Sequence, residues 1–132
     1  MKLCGLHHVS ILVSDIERAK KFYREVLGLR EIGIPSTFPA AGLRVHWFEL
    51  GDEQIHLLPA SAPDALSQRH FAIHVEDALA ARAHFASHGV AVSETVPIPG
   101  ADRFFVRDPD GNRIELIQWQ ETYHIVPIES QV

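Results

Sequence analysis

His8-Val9-Ser10-Ile11-Leu12-Val13-Ser14-Asp15 and His70-Phe71-Ala72-Ile73-His74-Val75-Glu76-Asp77 follow one plan. In each, a histidine opens a run rich in β-branched and aliphatic residues, the pattern of a strand buried on at least one face, and an Asp seven residues on can cap a helix. The two histidines stand 62 positions apart in a chain of 132 residues, so the sequence is a duplication. A duplicated strand with a histidine at the same place in both copies can bring two imidazole nitrogens to one point. A metal site has that requirement.

Each copy extends in the same order. After Ser14-Asp15, the residues Ile16, Ala19, Phe22, Tyr23, Val26 and Leu27 recur at helical spacing, and Gly28 stops the run where a left-handed cap is expected. Strands are predicted over 29–34, 43–50 and 54–58, with a loop over 35–42 and a tight turn at Gly51-Asp52. The second copy predicts a strand over 69–75, a helix from Asp77 to His88 closed by Gly89, and strands over 90–96, 103–107 and 113–119. This gives an α+β fold of two paired βαβββ modules forming one curved mixed sheet. The whole chain, 1–132, is expected to be a single domain, with module one at about 3–59, module two at about 68–119 and a C-terminal extension over 120–132. One four-stranded unit of ~55 residues buries only part of its apolar surface alone, so the modules must pack on each other or on another chain. In the extension, Tyr123, Ile125, Val126 and Ile128 suggest docking.

Composition narrows the function classes. With 46% hydrophobic residues the chain can bury a core without metal or disulfide staples, so a bound metal would serve function rather than folding. Twelve basic against seventeen acidic side chains, with no basic cluster, argue against nucleic acid and for a small-molecule partner. The single cysteine, Cys4, cannot form an intramolecular disulfide, and the N-terminus lacks the pattern of a signal peptide. No apolar run reaches the ~18 residues of a membrane span, so a cytoplasmic protein is expected.

The last strand of each module supplies the next candidates. His56 in Gln54-Ile55-His56-Leu57-Leu58 and Glu115 in Arg113-Ile114-Glu115-Leu116-Ile117 correspond once loop lengths are allowed for. Each points away from its aliphatic neighbours, toward a concavity if those neighbours form the core. His8, His70 and Glu115 together make two imidazoles and a carboxylate, a facial set that holds Fe, Mn, Co, Ni or Zn as the divalent ion and leaves positions open for water or substrate.

His8-Val9, Asp15, the run Phe22-Tyr23-Arg24-Glu25-Val26-Leu27-Gly28-Leu29 and the run from Phe105 through Asp108-Pro109-Asp110-Gly111-Asn112 to Leu116 resemble the vicinal oxygen chelate superfamily. This group includes glyoxalase I, fosfomycin-resistance enzymes, extradiol dioxygenases, methylmalonyl-CoA epimerase and bleomycin-resistance proteins. The resemblance spans Leu6 to about Gln118. It implies metal ligands on the first strand of each module and the last strand of the second: His8, His70 and Glu115. Glyoxalase I and the epimerase use a fourth position, usually Glu or Gln, where this chain has His56. His56 is therefore a fourth metal ligand or a residue that contacts substrate or moves a proton. The resemblance also implies a homodimer, in which one site can combine His8 of one chain with His70 and Glu115 of the other.

The expected activity is that of a metal-dependent lyase or isomerase of the glyoxalase kind, or a dioxygenase, holding a small substrate through two adjacent oxygens. The alternative is a metal-free protein that sequesters a small molecule, as in the bleomycin-resistance branch. Other residues have simpler readings. His74 shares a strand face with His70 and either lines the pocket or is a hydrogen-bonded core residue, while His7, His84 and His88 are expected at the surface. Asp108-Pro109-Asp110-Gly111-Asn112 is a turn rather than a calcium loop, since further ligands are missing. Phe22, Tyr23 and Phe85 belong to the core. One of Trp47 and Phe48, and one of Phe104 and Phe105, can face the cavity, and Arg44 and Arg103 are candidate anion anchors.

Overall fold

The computed structural model describes residues 1–39, 44–122 and 126–128. Element order is β1 (His8–Val13), α1 (Ile16–Lys21) running into a π-helical turn (Phe22–Val26), β2 (Arg30–Ile32), β3 (His46–Leu50), β4 (Glu53–Pro59), β5 (His70–His74), α2 (Ala78–Ser87), β6 (Ser93–Glu94), β7 (Ala101–Arg107) and β8 (Arg113–Trp119). The two four-stranded sheets have strand orders β1-β4-β3-β2 and β5-β8-β7-β6, the same connectivity twice. The predicted βαβββ duplication is thus observed.

Local chemistry repeats with the topology. Asp15 accepts the Arg18 N–H at 3.0 Å and Asp77 the Ala80 N–H at 2.9 Å, so both helices carry the same N-cap. Gly28 and Gly89 both end their helices at φ +71°, a conformation that a side chain would strain. The first helix differs from its simple prediction in its last turn, where the Leu27 N–H reaches back to the Phe22 carbonyl at 3.0 Å, five residues away.

By its contacts the chain divides into two compact units, residues 1–71 with 107–113, and residues 72–106 with 114–132. In the first unit β1 runs parallel to β4 and β3 antiparallel to it, with Ser10 opposite His56 and Trp47 opposite His56. Val13, Ile55, Leu57 and Phe48 are buried with Ala19, Phe22 and Tyr23 from the helical segment. Removing such side chains from water at roughly 25 cal/mol per Å² is the main stabilising term. His8, Ser10 and Leu12 lie on the other, exposed face of β1.

The turn between β7 and β8 belongs to the first unit and is built as a turn, as its sequence indicated. Asp108 accepts from the backbone N–H groups of Asp110 and Asn112, the Asn112 amide and the Tyr23 hydroxyl, at 2.8–2.9 Å. Burial raises the pKa of this carboxyl, opposed by those four donors. Asp110 accepts from the Ser14 N–H at 2.8 Å and from the Ser14 hydroxyl, while Asn112 donates to the Leu12 carbonyl at 2.9 Å. The motif thereby ties itself to the β1–α1 junction.

In the second unit Phe104, Ile114, Leu116, Ile73 and Phe85 are buried. Arg82 of α2 spans Asp102 and Glu94, which holds its pKa above the ordinary arginine range. The strand predicted over 90–96 contracts to Ser93–Glu94. It is an edge strand, and the Val96 carbonyl is taken by Arg103 Nη2 at 2.8 Å instead of by a neighbouring strand. Of the tail residues expected to dock, Tyr123 and Ile125 lie outside the described residues, and Val126 and Ile128 are exposed.

Candidate metal centre

Strand alternation delivers His56 as expected. Ile55 and Leu57 enter the core with no exposed surface, and His56, 6% exposed, lies on the opposite face. There it is sandwiched between two rings, His8 at a centroid distance of 4.0 Å and Trp47 at 4.1 Å, with interplanar angles of 17° and 2°. Phe38 meets the far side of this stack, edge-on to Trp47 at 5.5 Å. His56 Nε2 hydrogen-bonds Gln54 Oε1 at 2.8 Å, which makes Nε2 the donor and Nδ1 the lone-pair nitrogen. Desolvation lowers its pKa from 6.5 to about 4, assisted by the neighbouring His8 and His7, so the imidazole is neutral at physiological pH.

His8 and His56 are therefore brought together, in parallel stacking. The His8 Nδ1 faces the His7 Nδ1 at 2.9 Å, so one of the two carries the shared proton and His8 Nε2 points elsewhere. His70, in the same unit and exposed, donates from Nδ1 to the Gln68 carbonyl at 2.9 Å. A backbone acceptor on Nδ1 fixes the tautomer in which Nε2 carries the lone pair. Glu115 belongs to the second unit. It is 7% exposed, and its Oε1 pairs with Arg103 Nη1 at 3.0 Å. No group of three or more His, Cys, Asp or Glu side chains placed to hold a metal ion occurs among the described residues.

Arg103 is a correction to its reading as an anion anchor. Its Nε and Nη2 donate to the Val96 carbonyl and its Nη1 to Glu115, so its donors serve the protein's own carbonyl and carboxylate. Arg44 is exposed. His74 is exposed on the same strand face as His70, and His7, His84 and His88 are exposed as expected. Phe48 takes the core and Trp47 the site face, whereas Phe104 and Phe105 are both buried, the latter beneath the Arg103 guanidinium at 5.9 Å.

Two positioning residues went unread in the sequence, Gln54 and Gln68. The Gln54 side chain bonds His56 two residues on, and that spacing was an available signal; at Gln68 the main-chain carbonyl bonds His70, a contact that any residue there could make. The Arg103 clamp on Glu115 had no such signal, because it joins residues 12 apart on different strands.

The Glyoxalase/Bleomycin resistance protein/Dioxygenase superfamily model matches residues 5–116. Lactoylglutathione lyase from Haemophilus influenzae is 32% identical over 126 residues, covering 87% of this chain and 93% of that protein. Bovine methylmalonyl-CoA epimerase is 38% identical over 60 residues, 46% of this chain, and the chain spans only about a third (34%) of that relative. A solved Bacillus anthracis protein assigned to the glyoxalase family superposes with a TM-score of 0.80 at 28% identity, over 90% of this chain and 98% of that one. TnmS3, an antibiotic binding protein from Streptomyces sp. CB03234, gives 0.71 at 27% identity over 90% and 98%. With the duplicated βαβββ topology, these matches place the chain in the Glyoxalase/Bleomycin resistance protein/Dioxygenase superfamily.

Proposed function

We propose that the protein is a metal-dependent enzyme that binds a small substrate through two adjacent oxygens, with lyase or isomerase chemistry ahead of ring cleavage. The observation that supports this reading is His70, at the repeat position of His8, whose Nδ1–H is spent on the Gln68 carbonyl so that Nε2 carries the lone pair that coordination would use. By chemical type the donors suit a divalent transition metal: His8 and His70 supply imidazoles and Glu115 a carboxylate. Such an ion, when bound, supplies Lewis-acid polarisation of a substrate oxygen.

The remaining roles fall to the chain itself. Glu115 contributes negative charge from a site that excludes most water. His56 is neutral and stacked, and its Nδ1 lone pair can accept a hydrogen bond from substrate or a proton in the course of the reaction. Trp47 holds its ring in place. We further propose a homodimer, in which the ligand set is completed across chains.

A second reading has an observation in its favour. Arg103 already neutralises Glu115, as suits a binding protein that uses the fold without a metal, and TnmS3 is a structural relative that binds an antibiotic. Metal reconstitution of untagged protein separates the two. The enzyme reading expects about one divalent ion per chain, released by acid because protons compete with the metal for its ligands. Absence of uptake with an unchanged thermal midpoint supports the binding protein.

A further inference from the structure

We propose that the first unit contains an anion-binding site, a cavity of about 330 Å³ beside β1 that takes the carboxylate or phosphate group of a small molecule. Its wall includes Arg69, Arg107, Arg113 and His70, with Asp64 as the one carboxylate in the lining among the described residues. Three guanidiniums in one concavity run against a composition in which acidic residues outnumber basic ones and the net charge is −5.

The fold explains their convergence. The Asp108 N–H to Asn112 carbonyl bond closes the β7–β8 turn, which sets Arg107 and Arg113 across from each other at its base. The turn is in turn pinned to the β1–α1 junction by Asp110 and Asn112, so both arginines are delivered to the edge of β1. Hydrogen bonds help to aim them: Arg107 Nη1 donates to the Gly111 carbonyl at 2.7 Å, and Arg113 Nη1 to the Gln68 carbonyl and side chain at 3.3 and 3.2 Å. Arg69 pairs with Asp64 at the rim. A guanidinium engaged by a carbonyl keeps its charge and its planar fork, the geometry that matches carboxylate and phosphate oxygens. The Ser10 and Ser67 side chains add hydroxyl groups to the same lining.

This site does not rest on the metal reading, and its test uses chelator-treated full-length chain. Inorganic phosphate and acetate are titrated separately at constant ionic strength, with backbone amide shifts as the readout. The expected result is saturable shifts confined to 9–11, 67–71 and 111–113, with the tighter of the two probes identifying the group preferred. Arg107→Gln and Arg113→Gln should each weaken the tighter probe about tenfold, while Arg30→Gln, an exposed arginine outside the lining, should leave it unchanged. Shifts that are scattered or fail to saturate with both probes overturn the proposal, as does unchanged affinity in both arginine variants. Should a variant fail to fold, the shift map of the unsubstituted chain decides alone.

Discussion

His56 on β4 and Glu115 on β8 occupy the same place in the two copies of the repeat, yet their surroundings have diverged. His56 lies between two flat rings, in a setting that suppresses its charge. Glu115 meets a guanidinium. The backbone of the duplication, down to matched N-caps and matched glycine stops, has been kept while the electrostatics of the two inward-facing positions separated. A repeat therefore fixes where a side chain stands, and the side chains that reach it from the neighbouring strand decide what it can do.

The largest effect should come from breaking the pair in the second copy. Arg103→Ala leaves a nearly buried carboxylate without its partner and should destabilise the metal-free protein by about 3 kcal/mol in urea unfolding. A bound metal would supply the lost positive charge, so the loss should shrink in metal-loaded protein. Equal loss in both forms would argue that Glu115 never meets a metal.

The corresponding change in the first copy should cost less. His56→Ala removes the middle ring of the His8–His56–Trp47 stack and opens a small cavity, a loss of about 2 kcal/mol. It should impair turnover or substrate binding more than metal retention. If metal content falls as far as in His70→Ala, His56 is a full ligand and the contrast between the copies narrows.

Smallest close to neutral pH, though it grows as the solution is acidified, is the pH dependence. Between about pH 6.5 and about 4 the unfolded chain holds a proton on His56 that the folded protein excludes, so this residue makes folding less favourable as pH falls through that window. His56→Phe, which keeps a ring in the stack, should flatten that part of the stability profile of metal-free protein. An unaltered slope would place the acid sensitivity elsewhere.

Most of the fold was legible because its signals are local and occur twice. Asp15 and Asp77, Gly28 and Gly89, and the alternation around Ile55 and Ile114 each state their structure in a few neighbouring residues. The site was legible only as far as strand alternation reaches: it assigns His56 and Glu115 to faces, without revealing that Trp47 covers one and Arg103 binds the other. The contraction of β6 and the collection of Arg69, Arg107 and Arg113 were illegible for the same reason. Both depend on which strands become neighbours, a property of the whole topology that no window of sequence contains.

The central claim, that two imidazoles and one carboxylate at repeat-matched positions hold a divalent ion, is tested most directly by the metal content of reconstituted Glu115→Gln protein measured beside the unsubstituted chain. The substitution keeps the shape and removes the charge, so the account predicts a folded protein with strongly reduced metal affinity, matched by the loss in a His70→Ala control. Full metal occupancy in Glu115→Gln, with the fold intact, would contradict it.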